Sequence, residues 1–444
     1  MSPVTDLAEL RVDPATALVY EHGWQSWSPT AAYRLAERPY RPTTDGRRVM
    51  CYRPDRSAPA DAFWGEGLLA VDPGDGSGVH VFAAAPGGDA VPSIRAVARG
   101  DRVTVAADGP VGHDVDGGPG GVEGALGRWA DRYAASCGVT ALRPAPTVWC
   151  SWYHYFTEVT EGDVDDNLDA MDELGLDVEV VQIDDGYQRE IGDWLEWSDR
   201  FRSLAHVVAR MIRDRGRRAG IWVAPFLVGS GSETARRHPD WLVGDASAGH
   251  HWGQDLAALD VTHPGADAHL REVFGTLRAM GVDYFKIDFV YAGALDGRRH
   301  DPAVPGVEAY RRGLRSIRAA IGPDAYLLGC GAPILPSVGL VDAMRVSPDT
   351  APAYEPVGGD MSQPAQRSAV LTGRWRAFQH GRFWVNDPDC LLARPAVERR
   401  ADWAAHVERY GGLRASSDRL RDLDAWGLAT TRRLLRRVPA TPFA

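Results

Sequence analysis

The chain contains one lysine, Lys286, within a Lys+Arg total of 49. It stands in Asp283-Tyr284-Phe285-Lys286-Ile287-Asp288-Phe289-Val290, a short apolar run that reads as a buried parallel strand. Lys286 and Asp288 are two apart, so on a strand their ammonium and carboxylate point to the same face. A compact, hydrated ammonium cannot be exchanged for a guanidinium fork. The pair reads either as a site at a strand's end or as a partly buried ion pair. Asp184 and Asp185 close the run VEVVQIDD (178–185). They read as two acceptors for sugar hydroxyls, or as a strand-end cap or metal ligands. Arg345 and Asp349 are four apart across a strand exit that contains Pro348, where a structural salt bridge is the plain alternative. Trp152, Tyr153, Trp222, Cys330, Asp387 and Asp389 also fall where apolar runs end. Together these groups suit a polyol, because hydroxyls need fixed acceptors and donors while an apolar ring face needs an aromatic wall.

The elements that would carry these residues change character along the chain. Residues 1–143 are rich in Gly, Pro and Asp, with short alternating runs such as 78–82 and 102–105 between turn signals. This pattern predicts an N-terminal antiparallel β domain, sandwich-like and short. A helical stretch near 126–135 leads to a linker at Leu142-Arg143-Pro144-Ala145-Pro146. From Thr147 apolar runs alternate with amphipathic segments. The runs are 147–153, 178–185, 219–225, 283–290, 325–331, 342–348, 382–389 and 412–418, and helical spacing marks 163–174 and 204–215. Eight strand candidates with intervening helices predict an α/β fold, a (β/α)8 TIM barrel over 144–444, with a doubly wound sheet as the alternative. In a barrel the C-terminal strand ends share one face, so the polar ends above would converge.

Bulk properties narrow the function classes. The net charge of −11 argues against nucleic-acid and anionic-membrane partners. No apolar run approaches the roughly 20 residues of a membrane span. The N-terminal residues MSPVTDLAELRVDP carry acids and no apolar core, so no secretory signal is expected there. Cys51, Cys137, Cys150, Cys330 and Cys390 are odd in number and far apart, which predicts reduced thiols and a cytoplasmic setting. No CxxC or HxxxH pair suggests zinc. The 15 tryptophans suit carbohydrate faces as a set, although any one of them is more often core.

Seven motifs occur in order: WCSWYHYF (149–156), VQIDDGYQREIGDW (181–194), GIWVAPF (220–226), YFKIDFVYAGA (284–294), LLGCGAPILPSVG (327–339), MRVSPDTAP (344–352) and FWVNDPDCLL (383–392). They resemble the family 36 glycoside hydrolases, the α-galactosidases of the melibiase clan, and most closely their compact bacterial and archaeal branch. The likeness covers 147 to about 437 and reaches the first domain through HGWQSWSP (22–29). It implies Asp288 as nucleophile and Asp349 as general acid/base. It implies that Lys286, Asp184 and Asp185 bind galactose hydroxyls, with Arg345 near O2 and Trp222 stacked on the ring. Trp152, Tyr153 and Cys330 would line the pocket, and Trp27 would reach in from the first domain. Two departures are expected: the β domain before the barrel is short, and the C-terminal β domain usual in the family is missing, since the sequence closes at VPATPFA (438–444) after the last helix.

The implied function is retaining hydrolysis of terminal α-galactose from oligosaccharides, with no metal or organic cofactor. Retaining glycosidases set two carboxyl groups ~5–5.5 Å apart, one as nucleophile and one as acid/base. Asp349 must begin protonated, and Arg345 beside it opposes that, so burial and the charge of Asp288 have to outweigh Arg345. Three rival readings stand beside this one: a raffinose-synthase-like α-galactosyltransferase, a metal-dependent barrel hydrolase using Asp184, Asp185 and Asp288, and a non-catalytic galactoside-binding barrel. The sequence leaves the aglycone and the oligomeric state open.

Overall fold

Eight short strands pair side by side in parallel. They are Thr147–Cys150, Val180–Ile183, Arg218–Val223, Val282–Ile287, Tyr326–Gly329, Ala343–Arg345, Val385–Asp387 and Arg414–Ser416, and the eighth lies beside the first. The coordinates are a computed structural model that describes residues 4–43, 45–51 and 61–443. Between the seventh and eighth strands the ring closes by separate contacts. The amides of Gly412 and Leu413 both donate to the Asn386 carbonyl at 3.0 Å, and Leu391 bridges Ser416. The fold is a (β/α)8 barrel, and each of the eight apolar runs supplies one strand. The strands are buried apart from Arg218 and Asp283, which are half-buried near the starts of the third and fourth, as expected when helices cover one face and barrel side chains fill the other.

Local chemistry explains the helices. Glu161–Glu173 begins with a reciprocal capping box, in which the Asp163 amide donates to Thr160 Oγ1 at 3.1 Å and the Thr160 amide donates to Asp163 Oδ2 at 3.0 Å. Pro264–Met280 starts with proline in its first turn and stops at Gly281, whose φ of +109° suits glycine. The spacing over 204–215 predicts one helix, but only Leu204–Ala209 is α-helical and Arg210–Asp214 widens into a π turn. Around that turn Arg210 pairs with Asp165 at 2.6 Å and Arg217 with Asp172 at 2.8 Å, both on the preceding helix.

Before the barrel lie two antiparallel sheets. One runs Thr5–Arg11, Arg102–Ala107, Ser93–Arg99, Phe63–Glu66; the other runs Ala31–Arg34, Leu18–Glu21, Leu68–Asp72, Val79–Ala83, Gly112–Asp116. Their inner residues share one cluster, with Val103 and Val105 from the first sheet meeting Val19, Val71 and Phe82 from the second. The helix Gly121–Ser136 joins this unit to the barrel, its Trp129 ring 5.9 Å from Phe383 and 6.3 Å from Phe378. A second tie is Arg376, fully buried, whose guanidinium donates to the carbonyls of Gly23, Gln25, Ser26, Ser28 and Val346. Burial pulls its pKa down to about 10, because it faces carbonyl dipoles and no carboxylate among the described residues. These bonds fold the HGWQSWSP segment against the C-terminal end of the barrel, where the Ser26 amide also donates to the Ala332 carbonyl at 3.0 Å. No helix among the described residues is long and apolar enough to cross a membrane.

Candidate active site

A cavity of about 360 Å³ opens where the C-terminal ends of the barrel strands meet the Trp27 segment. Its floor comes from three neighbouring strands. Trp222 and Lys286 are register partners on the third and fourth strands, so their side chains enter the barrel at one level. Lys286 Nζ donates to Asp184 Oδ2 at 2.9 Å and lies 3.7 Å from Asp288 Oδ2. Burial works against the ammonium, but the carboxylates of Asp184 and Asp288 outweigh it and hold the Lys286 pKa well above the ordinary lysine value. Asp288 Oδ2 also accepts from the Trp222 indole at 3.1 Å, and Oδ1 accepts from the amide of Phe289 at 2.8 Å. That second bond goes with a left-handed Phe289, φ +50°, which bends the chain as it leaves the strand.

The two adjacent carboxylates have different surroundings. Asp184 accepts from Lys286, from Gln182 Nε2 at 2.6 Å and from the amide of Asp185 at 3.0 Å. Asp185 is held by Gln188 Nε2 at 2.6 Å on one oxygen and by the Trp252 indole at 2.8 Å on the other. Burial raises the Asp185 pKa to about 6, with those two donors working in the opposite sense. Each oxygen of Asp185 keeps a lone pair for a hydroxyl. Among the described residues, no three His, Cys, Asp or Glu side chains converge as a metal cluster.

Across the cavity, Asp349 Oδ1 accepts from Arg345 at 3.0 Å. Burial, together with the charges of Asp389 and Asp288, outweighs Arg345 and Lys286 and pushes the Asp349 pKa up to about 7. The Asp349 side chain keeps 29% of its surface open, so solvent screens part of that burial, and a ligand covering it would push the pKa further in the same direction. The Arg345 guanidinium is shared three ways, since it also pairs with Asp389 at 2.7 Å and Asp387 at 3.2 Å. Asp389 sits at φ +90°, fully buried, and accepts from the Tyr153 hydroxyl, the Thr350 amide and the Cys390 amide.

Nine of the eleven residues to which the family resemblance gives a role line this cavity: Trp27, Trp152, Tyr153, Asp184, Asp185, Trp222, Lys286, Asp288 and Asp349. Trp27 packs edge-on to Phe289 at 4.8 Å, and its buried indole N–H has no hydrogen-bond partner among the described residues. The other two are off the wall. Cys330 is fully buried just after the fifth strand, its amide on the Ile287 carbonyl at 2.8 Å and its thiol within electrostatic reach of Asp288, Arg345, Lys286 and Asp349. Arg345 is 2% exposed and spent on its three carboxylates. The sequence reading missed Trp252, which arrives from Gly249–His251 and Gln254–Ala258, strands of a small three-stranded sheet inserted after the third barrel strand. It also missed Phe156 and Phe289, although both stand inside motifs already marked.

The melibiase family model matches residues 138–297. The structure resembles TtGalA, the α-galactosidase of Thermus thermophilus solved with stachyose, at a TM-score of 0.78 and 31% identity, covering 98% of this chain and 94% of that one. The family 36 α-galactosidase AgaA of Geobacillus stearothermophilus shares the fold at a TM-score of 0.63 and 13% identity, covering 96% of this chain and 61% of that one. Among curated sequences, AgaA is 25% identical over 154 residues, 33% of this chain and 21% of that protein. The α-galactosidase of Escherichia coli is 28% identical over 121 residues, 26% of this chain and 17% of that protein. The aligned stretches thus span about a fifth of these curated relatives.

Proposed function

The chain belongs to the family 36 α-galactosidases, the melibiases, and from this membership and its cavity we propose that it hydrolyses terminal α-linked galactose from oligosaccharides with retention of configuration. One observation carries the reading. Asp288 and Asp349 share a cavity but not an environment: Asp288 takes donors from Trp222 and a backbone amide beside Lys286, while Asp349 is pushed up to about 7. A carboxyl raised in this way suits the acid, and one that accepts two hydrogen bonds beside an ammonium suits the nucleophile.

In the first step a lone pair of the Asp288 carboxylate attacks the anomeric carbon. The bond to the leaving oxygen breaks, and Asp349 gives that oxygen its proton. A β-linked galactosyl ester on Asp288 results. In the second step Asp349, now a carboxylate, takes a proton from water as the water oxygen attacks the same carbon. Asp288 leaves, and α-galactose is released. Asp184 and Asp185 accept from galactose hydroxyls, Lys286 donates to one, and Trp222, Trp152 and Trp27 form the apolar wall. Arg345 acts through its charge on Asp349, and Cys330 packs fully buried beside the site. A cytoplasmic setting belongs to the same proposal, argued from the odd number and wide spacing of the five cysteines.

The test is turnover of 4-nitrophenyl α-galactoside beside the α-glucoside and the N-acetyl-α-galactosaminide. Selective hydrolysis of the galactoside is expected, and no turnover of any of the three would remove the proposal. Asp349→Ala should harm raffinose far more than a dinitrophenyl galactoside, whose leaving group needs no proton. Equal losses would move the acid elsewhere.

A further inference from the structure

We infer that the Phe156 ring is the platform of a second subsite, which holds the ring of the leaving group, a hexose or an aryl group, at the mouth of the cavity. The inference rests on the α-galactosidase reading and extends it from the galactose to the group released. Phe156 is 46% exposed. Among the described residues the other exposed large hydrophobic side chains are Val4, Val115, Val357 and Trp426, and Phe156 alone of the five lines the cavity. Its backbone lies at φ +49°, ψ −140°, a conformation that aromatic residues avoid. Such strain persists only where the surroundings fix it, and it gathers at ligand clamps.

The surroundings do fix it. The Phe156 amide donates to the Trp152 carbonyl, closing the preceding turn. The next carbonyl, of Thr157, accepts from Arg200 at 2.5 Å. The same carbonyl rests against Gly186, where an added Cβ would come within 2.6 Å of it at a φ of +123°. Gly186 directly follows Asp185, so the ring is keyed to the carboxylate that receives the galactose. Trp152 meets Phe156 edge-on at 5.3 Å and 77°, and the two form an aromatic corner on the cavity wall.

The polarity of the reaction places the leaving group in that corner. Asp349 must touch the leaving oxygen, and Thr350, Ala351 and Pro352 continue along the wall beyond it. The galactose takes the charged floor of Asp184, Asp185, Lys286 and Asp288, which leaves the apolar mouth for the departing ring. The C–H face of a pyranose or the plane of an aryl group stacks on an aromatic ring, and α-galactosyl fluoride has no such ring to place.

The experiment measures kcat/KM of the wild type, Phe156→Ala and Phe156→Trp on raffinose, 4-nitrophenyl α-galactoside and α-galactosyl fluoride, with thermal melts of each protein. For Phe156→Ala the losses on the two ring-bearing substrates should exceed the loss on the fluoride by about tenfold, or ~1.4 kcal/mol. Phe156→Trp should recover most of that difference. Inhibition by free galactose should stay nearly constant across the three proteins, since galactose needs only the floor. Equal losses on all three substrates, or weakened galactose inhibition in parallel, would overturn the subsite and make Phe156 part of the galactose site. No loss on any substrate would overturn it too. A wild type inert toward every α-galactoside would overturn the proposed function itself, and the subsite with it.

Discussion

Asp349 is the acid only if Arg345 fails to keep it ionised, and the structure indicates how that happens. Arg345 spends its charge on Asp387 at 3.2 Å and Asp389 at 2.7 Å as well as on Asp349 at 3.0 Å. The charged and titratable groups facing Asp349 are Arg345 on the sixth strand, Asp389 after the seventh, Lys286 on the fourth with Asp288 just beyond it, Cys330 after the fifth, and Tyr153 after the first. Asp389→Asn removes one negative charge from this set. Arg345 is then less compensated, and the direct repulsion from Asp389 is lost as well. Both changes favour the Asp349 carboxylate, so its pKa should fall. A single charge at this range is worth ~1–3 pKa units. From a starting value of about 7, a fall of ~2 units would take the protonated fraction at pH 7 from roughly a half to about one hundredth. The assay is the pH dependence of kcat/KM on raffinose, whose alkaline limb reports the protonated acid in the free enzyme. That limb should move to lower pH by at least ~1 unit, with a much smaller change on a dinitrophenyl galactoside. Because these groups titrate together, the limb belongs to the set and not to one residue. An alkaline limb that stayed in place or moved upward would refute the reasoning, since Arg345 would then be compensated without Asp389.

Lys286→Arg should lose at least ~100-fold in kcat/KM, about 2.7 kcal/mol, with the fold kept, because a planar fork cannot replace a point donor between Asp184 and Asp288. Near-normal kinetics with a lowered Tm would instead mark the lysine as a structural ion pair. Trp252→Phe keeps the ring but removes the N–H that holds Asp185 Oδ2. Losing one donor to a charged acceptor is worth ~1.5–3 kcal/mol, so kcat/KM for every α-galactoside should fall by about tenfold or more. An unchanged value would show that Gln188 alone fixes Asp185.

The barrel was legible because most strands lie in short apolar runs between amphipathic segments, as parallel strands buried on both faces do. The floor was legible for the same reason, with Lys286 and Asp288 at i and i+2 and Asp184 and Asp185 just beyond a strand end. Trp252 was not, because the strands that carry it are three to five residues long and too short to show a period. Phe156 lay within a marked motif, but its exposure depends on a strained turn that no local pattern announces. Arg345 was expected near the substrate. Its engagement with Asp387 and Asp389 follows from the pairing of the sixth and seventh strands, which sets Arg345 against Asp387 in register. Cys330 was expected on the wall because it ends a strand, yet it is fully buried beside the site's charged groups and does not reach the cavity surface. Strand ends show which residues approach the site, and through-space packing decides which of them face the cavity.

The central claim is that Asp288 attacks the anomeric carbon of an α-galactoside, and azide rescue of Asp288→Gly tests it most directly. The folded variant should lose nearly all turnover of 4-nitrophenyl α-galactoside. Azide should restore turnover, because the small anion fits the space left by the carboxylate and approaches from the same face. NMR of the product should then show β-galactosyl azide. A variant that kept more than about a tenth of the wild-type kcat, a loss of less than ~1.4 kcal/mol, or an azide product of α configuration, would contradict the account.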